Sequence, residues 1–116
     1  MKFHPHAGQK DVLVVIADAD INASSADGVV AELEKTIDGG SRKMVVDLSR
    51  LEDVSSYGMG VLLRLQQKVG KHGGEVKLAG VKPAVAKMFK LLRIESMFAS
   101  YVNLDAAVGA FGAKTA

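Results

Sequence analysis

The apolar residues of this chain keep changing period, and that alternation constrains the fold more than any other feature. Val12 to Ile16 form an unbroken, largely β-branched run within "QKDVLVVIA", residues 9–17. Residues 43–48, "KMVVDL", and 75–80, "EVKLAG", read the same way. Between these runs the spacing becomes helical. Ala26, Val30, Leu33 and Ile37 stand at i, i+4, i+7 and i+11, a one-sided stripe for which Ser24 or Ser25 offers a cap and Gly39-Gly40 a stop. Met59, Leu62, Leu63 and Val69 make a second stripe, closed by Gly73-Gly74. Val85, Met88, Phe89 and Leu92 make a third, begun at Pro83, where a missing N–H is tolerated. A strand-like "FASYV" and a short helix "NLDAAVGAF" follow. Near the start, "KFHPH" adds an edge strand, the kind of strand that accepts Pro5.

The predicted order is therefore β-β-α-β-α-β-α-β-α. Nearly continuous apolar strands alternating with helices imply an α/β fold: a mixed, mostly parallel sheet of four to five strands packed with about four helices, its parallel pairs joined by right-handed crossovers. With 116 residues, no repeat and no linker, one domain spanning 1–116 is expected. The absence of Trp and the small number of aromatics point to a core of Val, Leu, Ile, Ala and Met. No cysteine is present, so neither a disulfide nor a thiolate metal site is available, which fits a reducing compartment. The opening "MKFHPHAGQK" lacks the apolar centre of a signal peptide, and no apolar run approaches the roughly 18 residues of a membrane span. A soluble, cytoplasmic protein is the expectation. His4 and His6 can share one strand face, but two imidazoles alone make a weak metal site, so no metal and no cofactor is expected.

Net charge is only +2 but unevenly spread. From Asp18 to Asp53 there are nine acids against four bases; from Val61 to Arg93 there are eight bases and one acid, Glu75. Such a split can steer a charged partner, although solvated helix faces account for it equally simply. Nucleic acid is not the expected partner, because the basic stretch lacks interleaved exposed aromatics and any RNA-module signature.

The stretch that invites a functional reading is Val54 to Leu63, "VSSYGMGVLL". A serine before a helix ordinarily caps an orphan N–H, and Ser24-Ser25 precede a helix in the same way. Gly58 and Gly60 are harder to explain as capping, since Gly costs roughly 1 kcal/mol relative to Ala inside a helix. They suggest that something approaches the backbone closely, either a phosphate or a partner surface. A dinucleotide fingerprint needs Gly where Leu63 stands, a phosphate-binding P-loop needs a Gly-Lys-Ser/Thr that is absent, and a hydrolase elbow needs Gly where Val54 stands. His4, His6 and His72 offer no evident base for Ser56. What remains is a serine that is acted upon. A phosphate there adds about −1.5 to −2 charges at a helix end that tolerates them, and changes the surface without breaking the fold.

Residues 44–63, "MVVDLSRLEDVSSYGMGVLL", resemble the central signature of STAS domains, the anti-sigma factor antagonist family. Asp47-Leu48-Ser49 matches the family's strand end. Ser56 stands at its phosphorylated serine, Met59 at its usual Leu, and Gly58 and Gly60 at its two glycines. Ser55 occupies a position where many members carry Asp, and Tyr57 replaces a small residue. The resemblance covers almost the whole chain. Asp18 and the Ala19-Asp20-Ile21-Asn22 stretch precede the first helix much as Gly-Glu-Leu-Asp does in the family, without its turn glycine. The resemblance implies a protein that is not an enzyme. Its unphosphorylated form binds an anti-sigma factor serine kinase and frees the sigma factor. Phosphorylation at Ser56, or less readily at Ser55, switches it off, and a Ser/Thr phosphatase resets it. It further implies a partner-binding surface made of Asp47, Ser49, Ser55, Ser56, Tyr57, Gly58, Met59 and Gly60. Within the same resemblance, the alternative is a non-switching STAS subunit of a transport or larger signalling assembly.

Overall fold

The computed structural model describes residues 2–8, 11–17, 25–40 and 42–112. Five strands, β1 (Lys2–Pro5), β2 (Val12–Ile16), β3 (Lys43–Asp47), β4 (Glu75–Ala79) and β5 (Ala99–Tyr101), form one sheet in the order β1-β2-β3-β4-β5. β1 runs antiparallel to β2; every other pair is parallel. The helices are α1 (Ala26–Asp38), α2 (Ser56–Lys71), α3 (Pro83–Leu91) and α4 (Leu104–Gly112), with a short 3-10 turn at Glu95–Met97. The observed order and the mixed, mostly parallel α/β class match the sequence expectation. Pro5 lies on an edge strand, Pro83 opens α3, and α1 stops at Gly39 and Gly40, the latter at φ +113°. Gln9, Lys10 and the predicted Ser24 cap lie outside the described residues, as does the stretch from Asp18 to Asn22.

The sheet is buried on both faces, which is why its strands read as apolar throughout. On one face Val15, Met44, Val46, Val76 and Leu78 meet α1, α2 and α3 in the main core. On the other, Val12, Val45 and Ala79 meet Ala107, Val108 and Phe111 of α4. Asp11 and Lys43 pair at 2.8 Å, joining the starts of β2 and β3, and the hydrogen bond from that ammonium holds the Asp11 carboxyl below its usual range.

Four details differ from the sequence reading. Phe89, Phe98 and Phe111 are buried, so the core is not purely aliphatic. In α2 the core stripe is Met59, Val61, Leu62, Leu65 and Val69, while Leu63 is only half-buried. Leu92 is 48% exposed, because α3 ends at Leu91 and Arg93 turns the chain through a left-handed φ of 58°. Lys77, counted with the solvated basic residues, is buried in β4. Its ammonium lies 2.8 Å from the Glu75 carboxylate and 4.7 Å from the Phe111 ring centre, with Tyr101 at 5.5 Å.

Candidate functional site

Parallel strands that each feed a helix place their C-terminal ends and the helix N-termini along one edge of the sheet, where α/β proteins bind partners. The segment joining β3 to α2, residues 48–55, lies on that edge in the middle of the sheet. Leu48, Leu51 and Val54 recur every third residue and are buried at 1%, 8% and 3% exposure, so the connection is anchored by its own side chains. The Leu48 N–H donates to Ala79 O at 2.9 Å, carrying the sheet pairing one residue past β3. The Ser49 N–H donates to Asp47 Oδ1 at 2.9 Å, which turns the chain away from the strand. Gly80, at φ +65°, packs beneath Ser49; a Cβ there would lie 2.7 Å from Ser49 Cβ. Glu52 forms an ion pair with Lys82, the N-cap residue just before α3, and so ties the connection to the next β–α junction.

The serine doublet divides into two roles at the start of α2. Ser55 has extended backbone (φ −73°, ψ 168°) and its Oγ accepts from the Gly58 N–H at 3.2 Å. It is the N-cap. Ser56 follows as the first helical residue, exposed, and its hydroxyl makes no hydrogen bond among the described residues. Tyr57 beside it is 52% exposed. Gly58 and Met59 turn inward, Met59 to 1% exposure, and Gly60 is half-buried just past the first turn. A methyl group at Gly60 would meet nothing within 4 Å, so no neighbour within the described fold demands glycine there. No acid occupies the first turn of α2, so that turn offers no carboxylate of its own to the partial positive charge of the helix end.

Of the eight residues singled out from the sequence, Ser55, Ser56, Tyr57 and Gly60 form the accessible start of α2. Asp47 and Ser49 form an adjacent turn of their own, and Gly58 and Met59 pack beneath. The Glu52–Lys82 pair was not foreseen; its partners are 30 residues apart, and no local pattern links them. His6, paired with His4 on sequence grounds, lies beyond β1, where its Nδ1 accepts from the Gly8 N–H at 3.1 Å. Among the described residues, no three His, Asp or Glu side chains converge as metal ligands, and no helix is long and apolar enough to cross a membrane.

Comparisons with known proteins agree with this geometry. A family model described as the STAS domain matches residues 6–108. The Bordetella bronchiseptica protein BtrV, named as an anti-sigma factor antagonist, is 33% identical over 105 residues, covering 90% of this chain and 89% of that protein. An anti-sigma factor antagonist structure from Thermotoga maritima superposes with a TM-score of 0.84 at 17% identity, covering 94% of this chain and 92% of that one. The Bacillus anti-sigma factor antagonist SpoIIAA in its unphosphorylated form gives 0.77 at 17% identity, covering 96% and 97%. Its phosphorylated form gives 0.70 at 15%, covering 94% and 99%. At these identities the three structural likenesses concern the fold.

Proposed function

This chain belongs to the STAS domain family of anti-sigma factor antagonists, and from that membership we propose that it is a one-domain cytoplasmic binding switch, not an enzyme, controlled at Ser56. In the unphosphorylated state the start of α2 docks on an anti-sigma factor that is itself a serine kinase, and the sigma factor is released. The kinase's ATP then supplies a phosphoryl group. The Ser56 Oγ bonds to phosphorus, ADP leaves, and the hydroxyl proton passes to a base on the kinase. A Ser/Thr phosphatase hydrolyses the ester and resets the protein.

The observation that carries this reading is the exposed Ser56 hydroxyl at the first position of α2, beside a second serine that already performs the capping. A phosphate on Ser56 meets the positive end of a helix whose first turn holds no acid, so the fold accommodates it. SpoIIAA, which shares the fold, is known in both unphosphorylated and phosphorylated forms, in keeping with a phosphate that leaves the architecture standing. The partner interface does not accommodate it: a dianion buried there without a counter-charge costs a few kcal/mol, about two decades in affinity. Gly60 and the small serine side chains keep that surface low enough for close approach.

Peptide mass spectrometry on the protein from its native host tests the assignment. A species heavier by one phosphoryl group, mapped to Ser56 and lost in Ser56→Ala while binding persists, is the expected result. Phosphorylation that continues in Ser56→Ala rejects the site. A chain that carries no phosphate under any growth condition rejects the switch and leaves a constitutive STAS binding subunit.

A further inference from the structure

The two edges of the sheet are built differently. β1 closes one edge and carries Lys2, His4 and Pro5: a cation, a polar ring and a residue without an N–H, all of which hinder a foreign strand from pairing. β5 closes the other edge, and from Ser96 to Asn103 there is no charge and no proline. The Tyr101 carbonyl accepts from the Gly80 N–H at 3.0 Å and so faces β4. Backbone groups alternate along a strand, so the N–H and C=O of Ser100 face outward, where no described strand meets them. Phe98 enters the main core while Tyr101 packs beside α4, which places Ser100 and Val102 on the Phe98 side of the sheet. On that side an open groove runs between β5 and α3, its apolar lining made by Val81, Ala86, Phe89, Phe98 and Val102. Among the described residues the one charge that lines it is Glu95, which belongs to the 3-10 turn before the strand. Ser100 is exposed, and Val102, at 84%, is the most exposed large apolar residue described.

We propose that β5 pairs antiparallel with β5 of a second copy of this chain, about a two-fold axis at Ser100, joining the two sheets into one. The backbone demands a strand as occupant, because a strand supplies the alternating N–H and C=O groups that an open edge lacks. The uncharged edge demands an uncharged strand, since a charge buried against it would have no partner. Of the strands described, β1 and β5 are the two at an edge. β1 brings Lys2 and Pro5, whereas β5 meets both demands. Side-chain size sets the register. With Ser100 opposite itself, the smallest side chains on that face meet at the axis, and Phe98 of one copy lies across from Val102 of the other on the groove side. Each Val102 thereby leaves solvent for an apolar wall. Shortness is the one guard that β5 keeps, and it sets the strength. A pairing centred on so short a strand buries less than the roughly 800 Å² per partner of a standard interface, so the dimer is weak and grows with concentration. With no charge in the pairing, salt leaves it almost unchanged. It uses no residue of the α2 start and does not rest on the reading of Ser56.

The chain has no cysteine, so a single introduced one reports the register. Directly opposed, hydrogen-bonded residues of an antiparallel pair have Cα atoms about 5.5 Å apart, within disulfide reach. Ser100→Cys is therefore expected to oxidise to a covalent dimer about tenfold or more faster than Ser96→Cys, a change at an exposed residue off the axis. Sedimentation equilibrium on the unaltered chain, at concentrations into the millimolar range, is expected to show mass above the 12.2 kDa monomer that persists in high salt. Ser100→Pro removes the outward N–H while sparing the pairing with β4, and Ser100→Lys sets two ammonium groups face to face. Each is expected to lower the association constant about tenfold or more, and circular dichroism verifies that each still folds. A chain that stays monomeric throughout overturns the proposal. So does cross-linking no faster through Ser100→Cys than through Ser96→Cys, or a dimer indifferent to Ser100→Lys.

Discussion

Two helices of this molecule start behind a serine. At α1, Ser25 sits in a helical backbone conformation (φ −101°, ψ −19°), its side chain makes no capping hydrogen bond, and Asp27 stands in the first turn. At α2, Ser55 is extended, its hydroxyl takes the Gly58 N–H, and the first turn contains no acid. The positive end of α1 is thus answered by a carboxylate of its own, while that of α2 is answered by one neutral hydroxyl. A helix start needs one cap, not two serines, so once Ser55 serves, the hydroxyl of Ser56 is surplus to folding. The difference teaches that the second start is left electrostatically open beside an exposed hydroxyl that the cap does not use.

The largest effect should come from filling that opening. Ser56→Asp places a carboxylate in the first turn of α2, where a negative charge is favourable by about 0.3–1 kcal/mol, so the melting temperature holds or rises slightly. Affinity for the anti-sigma factor, measured by calorimetry, is expected to fall by about a hundredfold, the equivalent of about 2.7 kcal/mol. A clear drop in melting temperature would show that the α2 start is not open to an anion, and the comparison with α1 would collapse.

Next in size is the cap. Ser55→Ala leaves the Gly58 N–H without its partner and should cost about 1 kcal/mol, a fall of about 4–8 °C for a domain near this size. Ser25→Ala, by contrast, removes no side-chain cap of α1. Ser56 remains present in the Ser55→Ala protein, so phosphorylation by the kinase persists. A Ser55→Ala protein that melts with the parent would remove the cap from Ser55 and with it the distinction between the two starts.

Much of this was legible in the chain, for definite reasons. Strands buried on both faces read as continuous apolar runs, helices as stripes, and Pro83, Gly39 and Gly40 mark ends because their backbones permit little else. The serine doublet marked where α2 begins. The division of labour between its members was not legible, since capping depends on whether Ser55 is extended and Ser56 helical, which depends on where Leu48, Leu51 and Val54 anchor the connection. Glu52 meeting Lys82 is equally a product of the fold. Lys77 reads as a surface cation until α4 brings Phe111 over it from 34 residues away, a distance no local pattern spans.

The smallest expected effect is the sharpest on why α2 tolerates glycine. Gly60 lies in a helix, where Ala is better by about 0.5–1 kcal/mol, and an added methyl meets nothing within 4 Å. Gly60→Ala should therefore raise the melting temperature by a few degrees, the reverse of an ordinary change at a structurally required glycine. Gly74 illustrates that other case, because a Cβ there falls 2.2 Å from Arg42 O. If the glycine is kept for a partner, the same methyl weakens binding to the anti-sigma factor while it stabilises the free protein. Opposite signs in the melt and in the binding titration are the signature of a residue held for an interface. A falling melting temperature assigns Gly60 to the fold instead, and a stabilised protein with unchanged affinity removes it from the docking surface, leaving Ser56 and Tyr57 to define the accessible start of α2.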